Sequence, residues 1–295
     1  MSTPLSALSD AIAAAVARAA PSVVSVRTPE AKGGRGRSSG FVWRPGLVVT
    51  AEEALAEDAA VTVVTASGAE ARAEVLGRDP GTDVVVLRAA GLDAPALEWT
   101  TDVPAVGRLA LAVGAAEAGP ATALGVVAVT GGPWRSLRGG TIDALIRLDL
   151  SMPGESEGGV ALDDAGRGFG MTVFGPRRRV LVIPAATVAR VAERLSTHGR
   201  VARGWLGLGL QPVPLDGGQG AGAMVMSVAA GGPGDAAGMR QGDIILAWAG
   251  AGVTGLRPIL RALGPESVGT VVPLSVRRGD ATREISVTIA ERPVS

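Results

Sequence analysis

The sequence predicts a mostly β protein with two domains, a double β-barrel followed by a small mixed α/β domain. The chain has 295 residues, which is about twice the usual length of a single domain. Its 43 glycines and 19 prolines indicate many turns, and therefore many short strands. The pattern of apolar runs also changes near residue 204, so we expect a second domain to begin there.

The N-terminal residues 1–21 are predicted to form a helix and its connection to the first strand. Residues 6–20 are rich in alanine and have the pattern of an amphipathic helix. No positive charge precedes Arg18, whereas a secretory signal begins with a basic segment. No run of 18 apolar residues predicts a membrane span. The sequence therefore predicts a cytoplasmic location, and the cleavage-like segment "ARAAP" leaves export as the alternative.

Residues 22–197 have the pattern of an all-β domain. Short apolar runs such as "SVVSVR", "GLVVT" and "DVVVLRA" alternate with Gly, Pro and Asp turns and indicate ten to twelve strands. The domain ends with a predicted helix over 184–197, where Pro184 occupies the favoured first position. Residues 198–203 are predicted to be a linker.

Residues 204–295 predict a second, smaller domain. The segments "GWLGLGLQPV" and "AGAMVMSVA" have the pattern of strands, and "GLRPILRALG" has that of a helix. The last segment, "VVPLSVRRGDATREISVTI", is typical of a hairpin.

Composition excludes several classes of function. The formal net charge is zero, so no electrostatic field attracts nucleic acid. The absence of cysteine excludes disulfides and thiolate metal sites. We expect no cofactor, no bound metal and no nucleic-acid partner. The chain contains one histidine, His198, in the predicted linker.

The segments "APSVVSV", "SSGFV", "GTDVVVLR", "HGRVARGWLGL" and "AAGMRQGDIILAWAG" resemble the HtrA/Deg family of serine proteases. The resemblance covers roughly residues 8–293. It implies a chymotrypsin-like double β-barrel followed by a PDZ domain, and it implies a Ser-His-Asp triad between the two barrels.

The triad positions of the family are only partly matched here. The resemblance places Asp83 at the aspartate position and Glu53 at the histidine position, or Glu52 if the alignment slips by one residue. The serine loop reads "PGESEGGVAL". Alignment of its paired glycines puts Glu157 at the nucleophile position, whereas alignment of "PG" puts Ser156 there.

A serine hydroxyl needs a neighbouring base, and the family uses imidazole for that purpose. Because His198 lies far along the chain, we predict a non-catalytic pseudoprotease that acts as a protein-binding scaffold, adaptor or subunit of a larger complex. The alternative is a serine endopeptidase-like or other hydrolytic enzyme with a non-standard site. Carboxyl groups at close range repel each other, so one of them should hold a proton near neutral pH.

The acidic cluster of Glu53, Asp83 and Glu157 has three interpretations. Its oxygen atoms suit a hard cation such as calcium, magnesium or manganese. The favoured interpretation is a remnant of the ancestral site that holds no metal. A third interpretation is acid–base chemistry by the Glu–Asp pair.

The PDZ domain of the family binds an extended peptide as an added strand and holds its terminal carboxylate with backbone N–H groups. We therefore predict a groove for the C-terminal tail of a protein partner between a strand at 208–213 and a helix at 256–263. The predicted peptide-binding residues are Trp205, Leu206, Gly207, Leu208, Leu256, Ile259, Leu260 and Leu263.

Overall fold

The structure is a computed structural model that describes residues 3–32, 35–56, 60–136, 138–215 and 220–293. The chain divides into two compact units, Met1–Val201 and Ala202–Ser295. The predicted fold class is confirmed, because strands dominate both units and the first unit contains two closed barrels. Among the described residues, no helix has the length and apolar character needed to cross a membrane.

The chain opens with helix α1, Pro4–Ala19, close to the predicted 6–20. Thr3 caps it, because its hydroxyl accepts a hydrogen bond from the N–H of Ser6 at 3.2 Å. Ala15 and Ala19 are buried against the core of the first unit, so the small side chains allow close packing of the helix.

The first barrel contains six strands in the order β1-β2-β3-β6-β5-β4. Its strands are β1 (Val23–Lys32), β2 (Arg35–Arg44), β3 (Leu47–Ala51), β4 (Val61–Val64), β5 (Glu70–Asp79) and β6 (Val84–Ala89). β-branched residues fill its buried strands, as the burial of "VVV" at 84–86 illustrates.

The second barrel also contains six strands, in the order β11-β14-β13-β12-β7-β8. The strands of this part are β7 (Leu109–Ala116), β8 (Gly119–Gly131), the short pair β9 (Trp134–Arg135) and β10 (Thr141–Ile142), then β11 (Leu145–Asp149), β12 (Val160–Leu162), β13 (Gly168–Phe174) and β14 (Val180–Pro184). The short pair β9–β10 lies outside the barrel as a separate two-stranded sheet.

Helix α2, Ala185–His198, follows β14 and ends one residue later than predicted. Gly199 terminates the helix with a left-handed backbone, φ 72°, and its N–H bonds to the carbonyl of Leu195. His198 is therefore the last residue of a helix, whereas the sequence placed it in a linker. Its Nδ1 lies 2.7 Å from the hydroxyl of Thr197.

The second unit contains a sheet in the order β16-β17-β18-β20-β21, with β16 at one edge. Its elements are β15 (Gly204–Trp205), β16 (Leu208–Pro214), β17 (Ala221–Val228), α3 (Pro233–Ala236), β18 (Ile244–Trp248), β19 (Ala251–Gly252), α4 (Leu256–Ala262), β20 (Val271–Arg278), β21 (Ala281–Thr288) and β22 (Ala290–Glu291). Helix α4 contacts the edge strand β16, as the sequence predicts.

Candidate functional site

Asp83 lies directly before β6, after a tight turn that another aspartate shapes. The carboxylate of Asp79 accepts hydrogen bonds from the N–H of Gly81 at 3.0 Å and from the hydroxyl of Thr82 at 2.7 Å. Asp83 itself has a left-handed backbone, φ 60°, which aspartate adopts more readily than most residues. The turn therefore fixes the backbone of Asp83 at the end of the barrel.

Strand pairing brings Glu52 and Glu53 to Asp83. Strands β3 and β6 are antiparallel, and Ala51 pairs with Val84. The residues just after β3 consequently lie beside the residue just before β6. The N–H of Glu53 donates to Asp83 Oδ1 at 2.7 Å, and the N–H of Glu52 donates to the backbone carbonyl of Asp83 at 3.2 Å.

The two glutamates have different environments. The Glu52 side chain is only 6% exposed and pairs with Arg138 at 3.0 Å and with Arg78 at 3.8 Å. The Glu53 side chain is 50% exposed, and its Oε1 lies 3.3 Å from Arg138. Of the two candidates for the histidine position, Glu52 is buried and forms ion pairs with two arginines, whereas Glu53 remains in contact with solvent.

Ser156 is buried, and its burial helps to decide between the two alignments of the serine loop. Its side chain is buried beside Gly114, where an added Cβ would approach the Ser156 hydroxyl to 2.7 Å. Its Oγ finds no hydrogen-bond partner among the described residues. The structure therefore places Ser156 away from a position where it could attack a substrate.

Glu157 occupies the next position and is half-buried. Its carbonyl accepts a hydrogen bond from the N–H of Ser39 at 2.9 Å, and its Oε1 lies 3.4 Å from the N–H of Phe174. Gly158 has φ 84°, and an added Cβ would lie 2.3 Å from the carbonyl oxygen of Ser39. The glycine is therefore required, and it fits the alignment in which Glu157 stands at the nucleophile position.

Within the acidic cluster, the carboxyl group of Asp83 has a strongly shifted pKa. Burial is the main cause that raises its pKa from 3.8 to about 7; the charges of Glu53, Glu157 and Glu52 contribute to this rise, and the hydrogen bond from the Glu53 N–H opposes it. A carboxyl group protonated near neutral pH is what the sequence predicts. The sequence-based argument named repulsion as the cause, whereas loss of hydration is the larger one.

The cluster does not form a cation site in the described part of the chain. No group of three or more Asp, Glu or His side chains there has an arrangement that could hold a metal ion. The hard-cation interpretation therefore gains no support from the geometry, and acid–base chemistry is the interpretation that the pKa of Asp83 favours.

A cleft of about 550 Å³ lies beside the serine loop. It is lined by Gly36, Arg37, Pro153, Gly154, Glu155 and Arg178. The loop itself forms a short 3₁₀ turn, in which the N–H of Ser156 bonds to the carbonyl of Pro153 at 3.0 Å. This cleft offers room for a peptide segment beside the serine loop.

The second unit has a loop with N–H groups directed outward. The carbonyl of Leu206 accepts from the N–H of Gly234, and that of Gly207 accepts from Ala229, each at 2.7 Å. A trans peptide points its N–H opposite to its C=O, so the N–H groups of Gly207 and Leu208 point away from these partners. Such adjacent N–H groups suit a carboxylate.

The predicted groove residues divide into core and surface. Leu206 and Ile259 are buried in the core of the second unit, and Leu208, Leu256 and Leu263 pack against it while partly exposed. Leu260 is 61% exposed. Trp205 is half-buried and belongs to β15. The strand range 208–213 corresponds to β16, and helix α4 ends one residue before the predicted 263.

Two residues near the acidic cluster were missed at the sequence level. Ser39 holds the serine loop, because its hydroxyl donates to the carbonyl of Glu155 at 2.7 Å and accepts from the N–H of Ala115. Arg138 reaches both Glu52 and Glu53. The segment "RSLRGG" contains no pattern that identifies Arg138, since its partners lie more than eighty residues earlier in the chain.

Comparisons with known proteins agree with this architecture. The model of the trypsin-like peptidase domain matches residues 38–171, and that of the PDZ domain matches residues 206–289. A probable periplasmic serine endoprotease, DegP-like, from Brucella suis is 32% identical over 277 residues, covering 87% of this chain and 53% of that protein. A protein of the same name from Chlamydia trachomatis is 30% identical, with 87% and 54% covered. The chain thus spans about half the length of these relatives.

Solved structures of the same type also resemble this chain. The serine endoprotease from Yersinia pestis has a TM-score of 0.71 and 26% identity, covering 95% of this chain and 97% of that one. The HtrA-type protease AlgW with a tripeptide has a TM-score of 0.68 and 26% identity, covering 96% and 98%.

These comparisons correct two predictions. The prediction of a non-catalytic scaffold is wrong, because the relatives and structural neighbours are named serine endoproteases. The physical error was to ask only whether a base replaces the missing imidazole, and to leave out that Asp83, with a pKa raised to about 7 mainly by burial, can act as a proton donor. The predicted cytoplasmic location is also wrong, because the relatives are named periplasmic. The absence of a basic segment before Arg18 was therefore a poor guide to location.

The predicted resemblance, by contrast, is confirmed along both units. The trypsin-like match lies within the double barrel that carries the acidic cluster, and the PDZ match covers the unit with the outward N–H groups. This chain belongs to the HtrA family, with a trypsin-like peptidase domain followed by a PDZ domain.

Proposed function

We propose that this chain is a periplasmic endopeptidase that hydrolyses peptide bonds with carboxyl groups at the triad positions. The observation that carries the proposal is the position of Asp83 at the place where the family performs its chemistry: the backbone N–H of Glu53 donates to Asp83 Oδ1 at 2.7 Å, and the charges of Glu53 and Glu157 act on the Asp83 carboxyl group. The family relationship indicates peptide-bond hydrolysis as the class of reaction, and the residues at the triad positions indicate that carboxyl groups carry out the proton transfers.

The roles follow from protonation. Asp83, with a pKa of about 7, carries a proton over much of the neutral range and can donate it to the leaving amide nitrogen. The Glu157 carboxylate takes a proton from water, whose oxygen attacks the peptide carbonyl carbon as the C–N bond breaks. The products are a carboxylic acid, which ionises in water, and an amine. Glu157 then releases its proton to solvent, and Asp83 takes one up from solvent. Pairs of carboxyl groups that share acid and base roles are known to catalyse hydrolysis in this way.

Substitution at the cluster tests this proposal. We expect Asp83→Asn or Glu157→Gln to lower hydrolysis of unfolded casein by about 100-fold or more, since acid–base groups contribute on that scale. Ser156→Ala should leave the rate unchanged. Glu74→Gln is a matched control, because Glu74 is an exposed acid of the same barrel that pairs with Arg88 at 3.6 Å.

Three results would contradict the proposal. The first is a purified full chain without hydrolysis at any pH. The second is full activity in Asp83→Asn. The third is labelling by a fluorophosphonate that Ser156→Ala abolishes, because that reagent reports a nucleophilic serine.

The second unit is proposed to capture extended, apolar C-terminal tails of proteins. The outward N–H groups of Gly207 and Leu208 would hold the terminal carboxylate, and the edge strand β16 would pair with the tail. Leu260, exposed on α4, would contact the last apolar side chain. Support comes from the PDZ match and from the neighbour AlgW, which was solved with peptides.

The periplasmic part of the proposal comes from the names of the relatives. Fractionation of cells that produce the natural full-length protein is the direct test. Recovery with periplasmic markers supports it, and recovery with cytosolic markers alone contradicts it.

A further inference from the structure

The turn between β9 and β10 packs against the turn that carries Asp83. The hydroxyl of Ser136, between β9 and β10, donates to the carbonyl of Gly81 at 2.5 Å. Gly140 lies so close that an added Cβ would stand 2.2 Å from the Gly81 carbonyl carbon. The two turns therefore touch backbone to backbone, and this contact needs a glycine at position 140.

Arg138, at the tip of the docked turn, reaches across to the first barrel. Its Nη1 lies 3.0 Å from Glu52 Oε2, and its Nη2 lies 3.3 Å from Glu53 Oε1. A planar guanidinium with rigid donors can bridge two carboxylates in this manner, which a lysine cannot do with the same geometry. The arginine thereby fixes the two glutamates relative to each other.

Both glutamates in turn hold Asp83 through their backbones. The N–H of Glu53 donates to Asp83 Oδ1 at 2.7 Å, and the N–H of Glu52 donates to its carbonyl at 3.2 Å. We propose that Arg138 is a positioning residue, which holds Glu52 and Glu53 so that the Glu52 N–H keeps the Asp83 backbone in place and the Glu53 N–H keeps the Asp83 carboxyl group in place. Its consequence for hydrolysis rests on the function proposed above.

The charges around Asp83 decide the sign of the effect. Glu53, Glu157 and Glu52 all act on Asp83 electrostatically, and Glu52 in turn pairs with Arg138 and Arg78. Removal of the Arg138 charge leaves the acids less neutralised, which raises the Asp83 pKa. Loosening of the Glu53 N–H bond also raises it, because that bond favours the charged form. Both effects have the same direction.

A merely structural ion pair would behave differently. The Arg138 side chain is 49% exposed, and exposed pairs add little to stability. The decisive readout is therefore the titration of Asp83 and not the melting temperature. Arg44→Gln is a matched control, because the Arg44 side chain is 54% exposed and pairs with Glu193 at 2.7 Å, on the same unit.

The experiment is a carbon-13 NMR titration of the aspartate carboxyl carbons in the full chain, with the Asp83 signal assigned by its loss in Asp83→Asn. We expect Arg138→Gln to raise the midpoint of Asp83 by about half a unit or more. Arg138→Lys should raise it less, because the positive charge remains. Arg44→Gln should leave it unchanged.

An unchanged or lowered midpoint in Arg138→Gln, with the far-ultraviolet circular dichroism of the native fold, would overturn the positioning role. The same holds if Arg44→Gln shifts the midpoint equally. This titration does not require hydrolysis, so its failure is distinct from failure of the proposed function. If the chain does hydrolyse casein, the pH profile of Arg138→Gln should move by the same amount as the NMR midpoint.

Discussion

Asp83 and Asp243 occupy similar positions in the two units, directly before a strand, yet their pKa values are shifted in opposite directions. Each directly precedes a strand, in "TDVVVL" and "GDIILA". Asp243 receives two hydrogen bonds from Arg278, at 2.7 and 2.8 Å, and one from the N–H of Arg240, and these hold its pKa below the usual range. Asp83 has acids as neighbours instead, and burial raises its pKa to about 7.

The difference shows how a carboxylate that stabilises the fold can be distinguished from one that takes part in a reaction. A cation that faces a carboxylate stabilises the charged form and with it the fold. A carboxyl group held among acids in a partly buried place is destabilising when charged, and such groups concentrate at functional sites. The local sequence of the two aspartates is alike, so only their distant partners distinguish them.

The largest expected effect concerns the proposed peptide groove of the second unit, the unit that contains Asp243. Leu260→Arg should weaken binding of an apolar C-terminal peptide by about 100-fold, because it replaces an apolar contact worth roughly 2 kcal/mol with an unpaired charge. Isothermal calorimetry measures this. Leu260 is 61% exposed, so the variant should fold normally.

The matched control is Val271→Arg, because Val271 is similarly exposed, at 63%, in strand β20 of the same sheet. Its affinity for the peptide should equal that of the unchanged chain. Equal losses in the two variants, or none in Leu260→Arg, would place the peptide elsewhere.

The second effect concerns the stability of the second unit. Asp243→Asn should lower its free energy of unfolding by about 2 kcal/mol at neutral pH, since the Arg278 guanidinium loses its charged partner. A lowered pKa contributes stability above the unfolded value near 4 and loses it as the pH falls further. The free energies of unfolding of the two forms, measured with urea, should therefore converge as the pH falls below about 4. A constant difference over that range contradicts the structural role.

The third effect concerns Asp83→Asn, which should raise the free energy of unfolding at high pH, whereas Asp243→Asn lowers it. The folded protein keeps a proton on Asp83 up to about pH 7, whereas the unfolded chain releases it near pH 4, so the stability from this group is lost as the pH rises through that window. Asp83→Asn should accordingly raise the free energy of unfolding by about 1–2 kcal/mol at pH 8, after allowance for partial solvent contact, and by little near pH 4. Asparagine retains the acceptor for the Glu53 N–H. A destabilised variant at pH 8 would contradict the raised pKa.

The smallest effect is expected at Ser156. Its buried hydroxyl has no partner in the described residues, so Ser156→Ala should change the free energy of unfolding by less than about 1 kcal/mol, in the stabilising direction. Thermal unfolding measures it. A loss of 2 kcal/mol or more would reveal a hidden partner for the hydroxyl.

The sequence was a good guide to the fold and to the position of Asp83. Apolar runs with regular turns suffice to predict barrels, and the aspartate before "VVVL" lies where strand pairing requires. The amino-acid sequence alone could not decide whether Ser156 or Glu157 of "GESEGG" occupies the nucleophile position. It depends on Gly158, whose positive φ and close approach to Ser39 appear only when the loop lies against the first barrel.

Other properties of the site depend on contacts between distant segments. Glu52 and Glu53 differ in exposure, and the arginines that contact them, Arg138 for both and Arg78 for Glu52, lie far from them in the sequence. The groove helix posed a similar problem, since Ile259 and Leu260 are neighbours in sequence but one is core and the other is surface. The raised pKa of Asp83 results mainly from burial, which periodicity alone does not measure.

The central claim is that a carboxyl group with a pKa near 7 performs the proton transfer, and the pH dependence of hydrolysis tests it most directly. The rate of casein hydrolysis by the full chain should fall as the pH rises through about 7, because protonated Asp83 is the donor. The Asp83→Asn variant should lose this fall together with most of the activity. A rate that instead rises through neutral pH, as an imidazole or serine mechanism requires, would contradict the account.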